Sequence, residues 1–122
     1  MSTDKPRQLR DSVRMAYSAA AQRPQGEHPS PVGRRFAECC GYPQDALSGL
    51  PSASVDAFSG VSNMAIFAEI PPGSTILDLG CGAGLDSLIA AKRVSAQGTV
   101  IGVDFSDAML ARARGSAAEV GF

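Results

Sequence analysis

One run of this chain has residue types and spacing that can do chemistry. It is Asp78-Leu79-Gly80-Cys81-Gly82-Ala83-Gly84, with Asp104 following twenty residues beyond its last glycine. Gly80 and Gly82 permit a tight turn and let a ligand approach the backbone with no Cβ in the way. A helix starting directly behind such a turn points its free N–H groups at whatever sits there. Asp104 falls at the carboxyl end of the next strand, where an acid accepts hydrogen bonds from ribose hydroxyls. Both features belong to the end of an open α/β sheet at which such sheets bind ligands. Together they read as a nucleoside-type pocket.

Charge and a missing glycine narrow the kind of nucleoside. Dinucleotide folds carry GxGxxG, and the third glycine position is here occupied by Leu85. An anionic Asp78 near the loop repels a pyrophosphate and suits a cationic sulfonium or ammonium group. Asp78 to Gly84, and then Gly102-Val103-Asp104-Phe105-Ser106 with Met109-Leu110 following, resemble the first and second motifs of class I S-adenosylmethionine-dependent methyltransferases. The resemblance implies S-adenosylmethionine as cofactor and a small-molecule methyl acceptor. It implies that Asp78, Gly80 and Gly82 shape the methionine-side pocket, with Cys81 contributing backbone. Asp104 would hold the ribose, and Phe105 and Met109 would pack beside the adenine, with plain helix core as the alternative for those two. Two other functions stay open: a non-catalytic module that binds cofactor or a partner, and an NAD-dependent oxidoreductase.

A narrower resemblance covers the earlier part of the chain. Gly41-Tyr42-Pro43, Leu50-Pro51 and the stretch from Val55 to Asn63 resemble the leader of arsenite-methyltransferase-like bacterial proteins, as does LDLGCGAGLDSLIAAKRV with Asp86 after the loop. In that group an early tyrosine-containing helix, here around Tyr17, folds over the cofactor, whereas spacing alone makes Tyr17 an apolar-face residue. Arsenite methyltransferases hold As(III) through several separated thiolates, a soft-ligand preference. Here Cys39 and Cys40 are vicinal, Cys81 sits in the loop, and Gly60–Asn63 has no cysteine, so arsenite enters as an acceptor by resemblance only. No catalytic base is named: Glu69, Asp86 and Asp107 are acids that solvated faces or helix caps explain.

The elements that must position this loop are legible around it. Thr75–Leu79, bounded by Pro71-Pro72-Gly73 and Gly80, reads as a buried parallel strand. Leu85–Val94 reads as a helix with Leu85, Leu88, Ile89, Ala90 and Ala91 inward and Lys92 and Arg93 complementing its dipole. Ser95–Gly98 is a turn, Thr99–Asp104 a second strand, and Ser106 an N-cap for a helix from Asp107 through Ala118 with Met109, Leu110 and Ala113 inward. Upstream, Leu9, Val13, Tyr17 and Ala20 recur at helical spacing between Pro6 and Gln22, and Arg23–Gly33 is a loop. Short helical pieces follow at Arg34–Cys40, Pro43–Leu50, Ser54–Phe58 and Asn63–Ile70. The fold class is therefore α/β: a partial Rossmann-like methyltransferase fold, β-α-β-α of a parallel sheet, behind an N-terminal helical segment. Residues 1–72 form the cap segment and 73–122 the N-terminal half of the cofactor domain. A complete fold of this class resembles a seven-stranded sheet, so the expectation is a truncated frame or fragment, marginally stable and with little activity of its own.

Composition fits that frame. The 122 residues suit one domain, and a formal net charge of −1 gives no electrostatic reason to expect nucleic acid or an anionic membrane as partner. The start, MSTDKPRQLRDSV, has no apolar core of the kind a secretory signal requires, and no run approaches a membrane span, so a cytoplasmic location is expected. Three cysteines without a secretion signal argue against a disulfide framework, and no CxxC or HxxxH spacing suggests a metal. Cys39 or Cys40 then fills an apolar gap. Oligomeric state is left open.

Overall fold

The computed structural model describes residues 4–61 and 63–122; the first three residues of the leader and Ser62 of the Gly60–Asn63 stretch lie outside them. The chain opens on α1 (Lys5–Gln22), with Pro6 in its first turn, where the missing N–H costs nothing. An irregular stretch rich in Pro and Gly follows. Four short helices come next: α2 (Arg34–Cys39), α3 (Gln44–Ser48), α4 (Ser52–Asp56) and α5 (Met64–Phe67). The regular unit is β1 (Thr75–Leu79), α6 (Leu85–Val94), β2 (Thr99–Val103) and α7 (Asp107–Glu119). β1 and β2 pair in parallel, from Thr75 opposite Thr99 to Leu79 opposite Val103. Parallel neighbours need a crossover, and α6 supplies it.

The α1 stripe packs less completely than its spacing suggests. Leu9, Val13 and Tyr17 stay exposed, while Ala20 and Ala21 are buried, because α1 meets α7 and its surroundings mainly through its C-terminal end. The α6 face holds as expected at Leu85, Leu88, Ile89 and Ala90, with Ala91 half-buried and Val94 buried as well. Burying each of the larger side chains contributes about 2 kcal/mol.

β1 corrects the expectation of a fully buried strand. Ile76 and Val100 pack towards α6 with Ile70, Ala90 and Val94. The alternate residues face the other way, and Leu77 and Leu79 are 59% and 74% exposed. A strand apolar on both faces is built for cover on both. Among the described residues only the α6 face receives it.

The early helices and the α/β unit share one core. Ala37, Tyr42, Leu47, Leu50, Val55, Phe58 and Ala65 cluster with Leu85, Leu88 and Ile89. Polar ties reinforce this seam. Lys92 and Arg93, expected to serve the helix dipole, donate to the carbonyls of Gly49 (2.8 Å) and Ala65 (2.7 Å). Arg112 of α7 donates through Nε to the Ala21 carbonyl and through its terminal nitrogen to that of Ala53 at 3.0 Å. Cys40 packs partly buried against the shared core, and Cys39 is exposed. Among the described residues, no helix is long and apolar enough to cross a membrane.

Arg112 thus joins three helices through charge-assisted bonds. Replacing it by Met should lower the free energy of urea unfolding by about 2 kcal/mol. An unchanged midpoint would show that the two carbonyls are equally well served by water.

Candidate functional site

The bend after β1 is held by the strand beside it. The amides of Gly80 and Cys81 both donate to the carbonyl of Val103, at 2.7 and 2.9 Å. The next amide, Gly82, donates to Asp104 Oδ2 at 2.9 Å, and the Ser106 amide donates to Asp104 Oδ1 at 2.8 Å. Three consecutive amides of the bend therefore turn inward to the chain's own acceptors. One carboxylate joins the glycine bend, the end of β2 and the start of α7. Ser106 then caps α7 as expected, its hydroxyl accepting from the Met109 amide at 3.2 Å. That hydroxyl also lies 3.0 Å from the hydroxyl of Ser18 on α1.

Two glycines of the bend are there for different reasons. Gly80 has φ +74° and open space where a Cβ would stand, so conformation and clearance for a ligand require it. Gly84 has φ +89°, and a Cβ there would come within 3.1 Å of the Ala113 Cβ, so it also lets α7 approach the bend. Gly102, in β2, answers to Cys81: a Cβ on it would meet the Cys81 Sγ at 2.9 Å. The Cys81 thiol therefore folds back over the sheet, beyond the backbone role expected of this residue.

A cavity of about 410 Å³ opens at this end of the sheet, within the size range of small-molecule sites. Its floor is Asp78, Leu79, Gly80, Cys81, Gly82 and Ala83, with Asp104 and Phe105 beside them. Tyr17, Ser54, Phe58 and the Ser59–Val61 stretch form the wall from the early helices, and Leu85 and Asp86 the wall from α6. Of the residues expected at the site, Asp78, Gly80, Cys81, Gly82, Asp104 and Phe105 thus meet at one cavity. Met109 does not join them. It is 1% exposed and packs with Ala20, Ala21, Ala57 and Ala83, because the Ser106 cap turns that position of α7 into the core beneath the bend. Phe105 is instead 42% exposed. Its ring meets that of Tyr17 edge-on at 6.1 Å, with the Arg14 guanidinium 5.7 Å from its centroid. Tyr17 therefore sits at the rim of the cavity, in addition to belonging to the α1 stripe.

Three carboxylates line this space, and among the described lining residues there is no Lys, Arg or His. Asp78 Oδ2 accepts from the Ser87 hydroxyl at 2.6 Å. Asp86 Oδ1 accepts from the hydroxyl of Tyr42, whose ring is buried edge-on against Phe58. A solvated face does not describe Asp86: burial pushes its carboxyl above the usual range, the Tyr42 hydroxyl draws it back, and Asp78 adds to the rise. Tyr42 itself is pushed well above the ordinary phenol range by burial and then by Asp86. The Cys81 thiol is pushed up to about 11 by burial, then by Asp78 and Asp104. Ser54, fully buried, donates to the Ala83 carbonyl at 2.6 Å and fixes the far side of the bend. Tyr42, Ser54 and Ser87 were not singled out from their types. The runs quoted for the arsenite-methyltransferase-like resemblance include two of them, Tyr42 in Gly-Tyr-Pro and Ser87 in LDLGCGAGLDSLIAAKRV, without giving either a role.

Residues 70–122 match the family described as "Methyltransferase domain". The chain is 40% identical over 82 residues to an arsenite methyltransferase of Halobacterium salinarum, covering 67% of this chain and 21% of that protein. It is 52% identical over 46 residues to a 2-phytyl-1,4-naphtoquinone methyltransferase of Thermosynechococcus vestitus, covering 38% of this chain and 20% of the relative. It is 38% identical over 79 residues to a nocamycin O-methyltransferase of Saccharothrix syringae, covering 63% and 28%. A crystal structure of an arsenic(III) S-adenosylmethionine methyltransferase from Chlamydomonas reinhardtii aligns with 72% of this chain and 26% of its own, at 30% identity and a TM-score of 0.45. The chain spans between 20% and 28% of the length of these curated relatives. The matched residues, 70–122, hold the strand, the glycine bend and the Asp104 strand end.

Proposed function

We propose that this chain binds S-adenosylmethionine in the cavity between the Gly80–Gly82 bend and Asp104, and serves methyl transfer to a small-molecule acceptor. The observation that carries the reading is the direct bond between the Gly82 amide and Asp104, at a cavity lined by carboxylates. The residues fit the cofactor. Gly80 leaves room at the backbone, and a carboxylate oxygen already accepting one N–H keeps a second lone pair for a ribose hydroxyl. Phe105 and Tyr17 offer aromatic surface at the rim. When bound, the cofactor supplies a methyl group activated by a positively charged sulfur. The chain's part is to hold that group, through a carboxylate-lined wall that favours cations, and to keep water from it. Positioning both reactants in line accounts for much of the acceleration of such a displacement.

The acceptor is a separate matter. The three curated relatives are named for arsenite, a phytyl naphthoquinone and nocamycin, so the shared region goes with methyl transfer and not with one acceptor. Arsenite needs thiolates, and Cys81 holds its proton at neutral pH because its thiol is pushed up to about 11. Cys39, exposed, and its neighbour Cys40 are the thiols left to such a substrate. A non-catalytic, cofactor-binding role is the second reading. What favours it is the uncovered apolar face at Leu77, Leu79, Ile101 and Val103. Both readings keep the cytoplasmic location and the absence of nucleic-acid and membrane partners.

Calorimetric titration separates these ideas. The chain should bind S-adenosylmethionine and S-adenosylhomocysteine and leave NAD unbound. Asp104→Ala should weaken both adenosyl ligands by at least about tenfold. Equal affinity in that variant would remove Asp104 from the site. Thiol labelling checks the state of Cys81. At pH 8 its thiolate is only about one part in a thousand, so it should react after Cys39 and Cys40. Labelling of Cys81 first would overturn its assignment as an inert, protonated thiol.

A further inference from the structure

We propose that Asp86 receives the positively charged end of the bound ligand, and that Tyr42 is the residue that positions Asp86 for it. This rests on the reading of the cavity as a cofactor site and goes beyond it, because the resemblances that touch Tyr42 and Asp86 give neither residue a role.

The three cavity carboxylates already have different partners. Asp104 has both oxygens engaged by backbone amides, Gly82 on one and Ser106 on the other. Its work is to hold the bend and, with the lone pairs left over, the ribose. Asp78 is bonded by Ser87, one turn along the same crossover. Asp86 differs in being anchored from outside the α/β unit. Tyr42, in the loop between α2 and α3, reaches across to Asp86 Oδ1, and its ring is locked by Phe58 in the shared core. That bond fixes the carboxylate and leaves Oδ2 with no bond among the described residues.

The groups bearing on Asp86 are the Tyr42 hydroxyl and Asp78 of β1, with Cys40 acting in turn on Tyr42. All of them are neutral or negative. Among the described residues Asp86 forms no ion pair. A half-buried carboxylate lining a cavity, held by a neutral donor and facing a second carboxylate, is electrostatically incomplete without a cation. S-adenosylmethionine brings two positive centres, an ammonium and a sulfonium. Tyr42 makes the arrangement workable, since its hydroxyl favours the charged form of Asp86 against the pull of burial.

The test uses the whole 122-residue chain and three probes: S-adenosylmethionine, S-adenosylhomocysteine (ammonium only) and 5′-methylthioadenosine (neither cation). Asp86→Asn should weaken S-adenosylmethionine by about tenfold and leave methylthioadenosine unchanged. Weakening of S-adenosylhomocysteine as well assigns the ammonium to Asp86; weakening of S-adenosylmethionine alone assigns the sulfonium. Equal loss for all three ligands, or no loss for any, would overturn the proposal while leaving the cofactor reading intact. A wild-type chain that binds none of them would overturn both.

Tyr42→Phe keeps the ring in the core and supplies the readout that a packing role would not move. Removing the hydroxyl raises the Asp86 pKa further, so as pH falls the affinity for S-adenosylmethionine should be lost at a higher pH than in the wild type. The midpoint should move to higher pH. Methylthioadenosine binding should show no such shift. An unmoved midpoint would reduce Tyr42 to a core residue and contradict its positioning role.

Discussion

A single carboxylate sets the geometry at this end of the sheet. Asp104 leaves β2 and accepts the Gly82 amide with one oxygen and the Ser106 amide with the other. Bonds from amides to an ionised acceptor are shorter and stronger than neutral ones, and here two of them share one side chain. The bend cannot swing away from the strand end, and α7 cannot start elsewhere, without breaking one of them. The Val103 carbonyl extends the same seam by accepting Gly80 and Cys81. Everything that lines the floor of the cavity inherits its position from these four bonds.

The wall opposite that floor comes from the first half of the chain. Short helices of four to six residues have little stability alone, so α2 to α5 depend on the apolar residues they give to the core under α6. Lys92, Arg93 and Arg112 add ties to carbonyls at the ends of these segments, where helices leave acceptors unsatisfied. The outcome is functional as well as structural. Ser54 supports the bend from behind, Tyr42 reaches the cavity through Asp86, and Tyr17 arrives beside Phe105. A boundary drawn at residue 72 separates two kinds of sequence, yet the cavity takes residues from both.

The local elements were legible because punctuation encloses them. Pro71-Pro72-Gly73 and Gly80 bracket β1, and Gly84 and Ser95 bracket α6; both elements have the bounds their sequence implies. Ser106 is a cap by type and by geometry. The convergence of Gly82 and Asp104 followed from the rule that places both at the carboxyl ends of neighbouring parallel strands. What spacing could not give was contact between distant segments. Tyr42 and Asp86 are 44 positions apart and Ser54 and Ala83 are 29 apart, and each residue taken singly reads as a loop or helix residue. Met109 was ambiguous by pattern, since a residue after a strand-end acid can turn to the ligand or to the core; the cap at Ser106 decides it. For Leu77 and Leu79 an apolar run implies two covered faces, and the described residues cover one.

The most direct test of this account follows the two amides that Asp104 holds. In a nuclear magnetic resonance titration of the 122-residue chain with S-adenosylmethionine, the Gly82 and Ser106 amide signals should shift together. Both should follow one binding curve and rank among the largest changes. Ligand-induced shifts that leave both amides still, or a titration that moves no signal at all, would contradict the claim that the Asp104-held bend is the binding site.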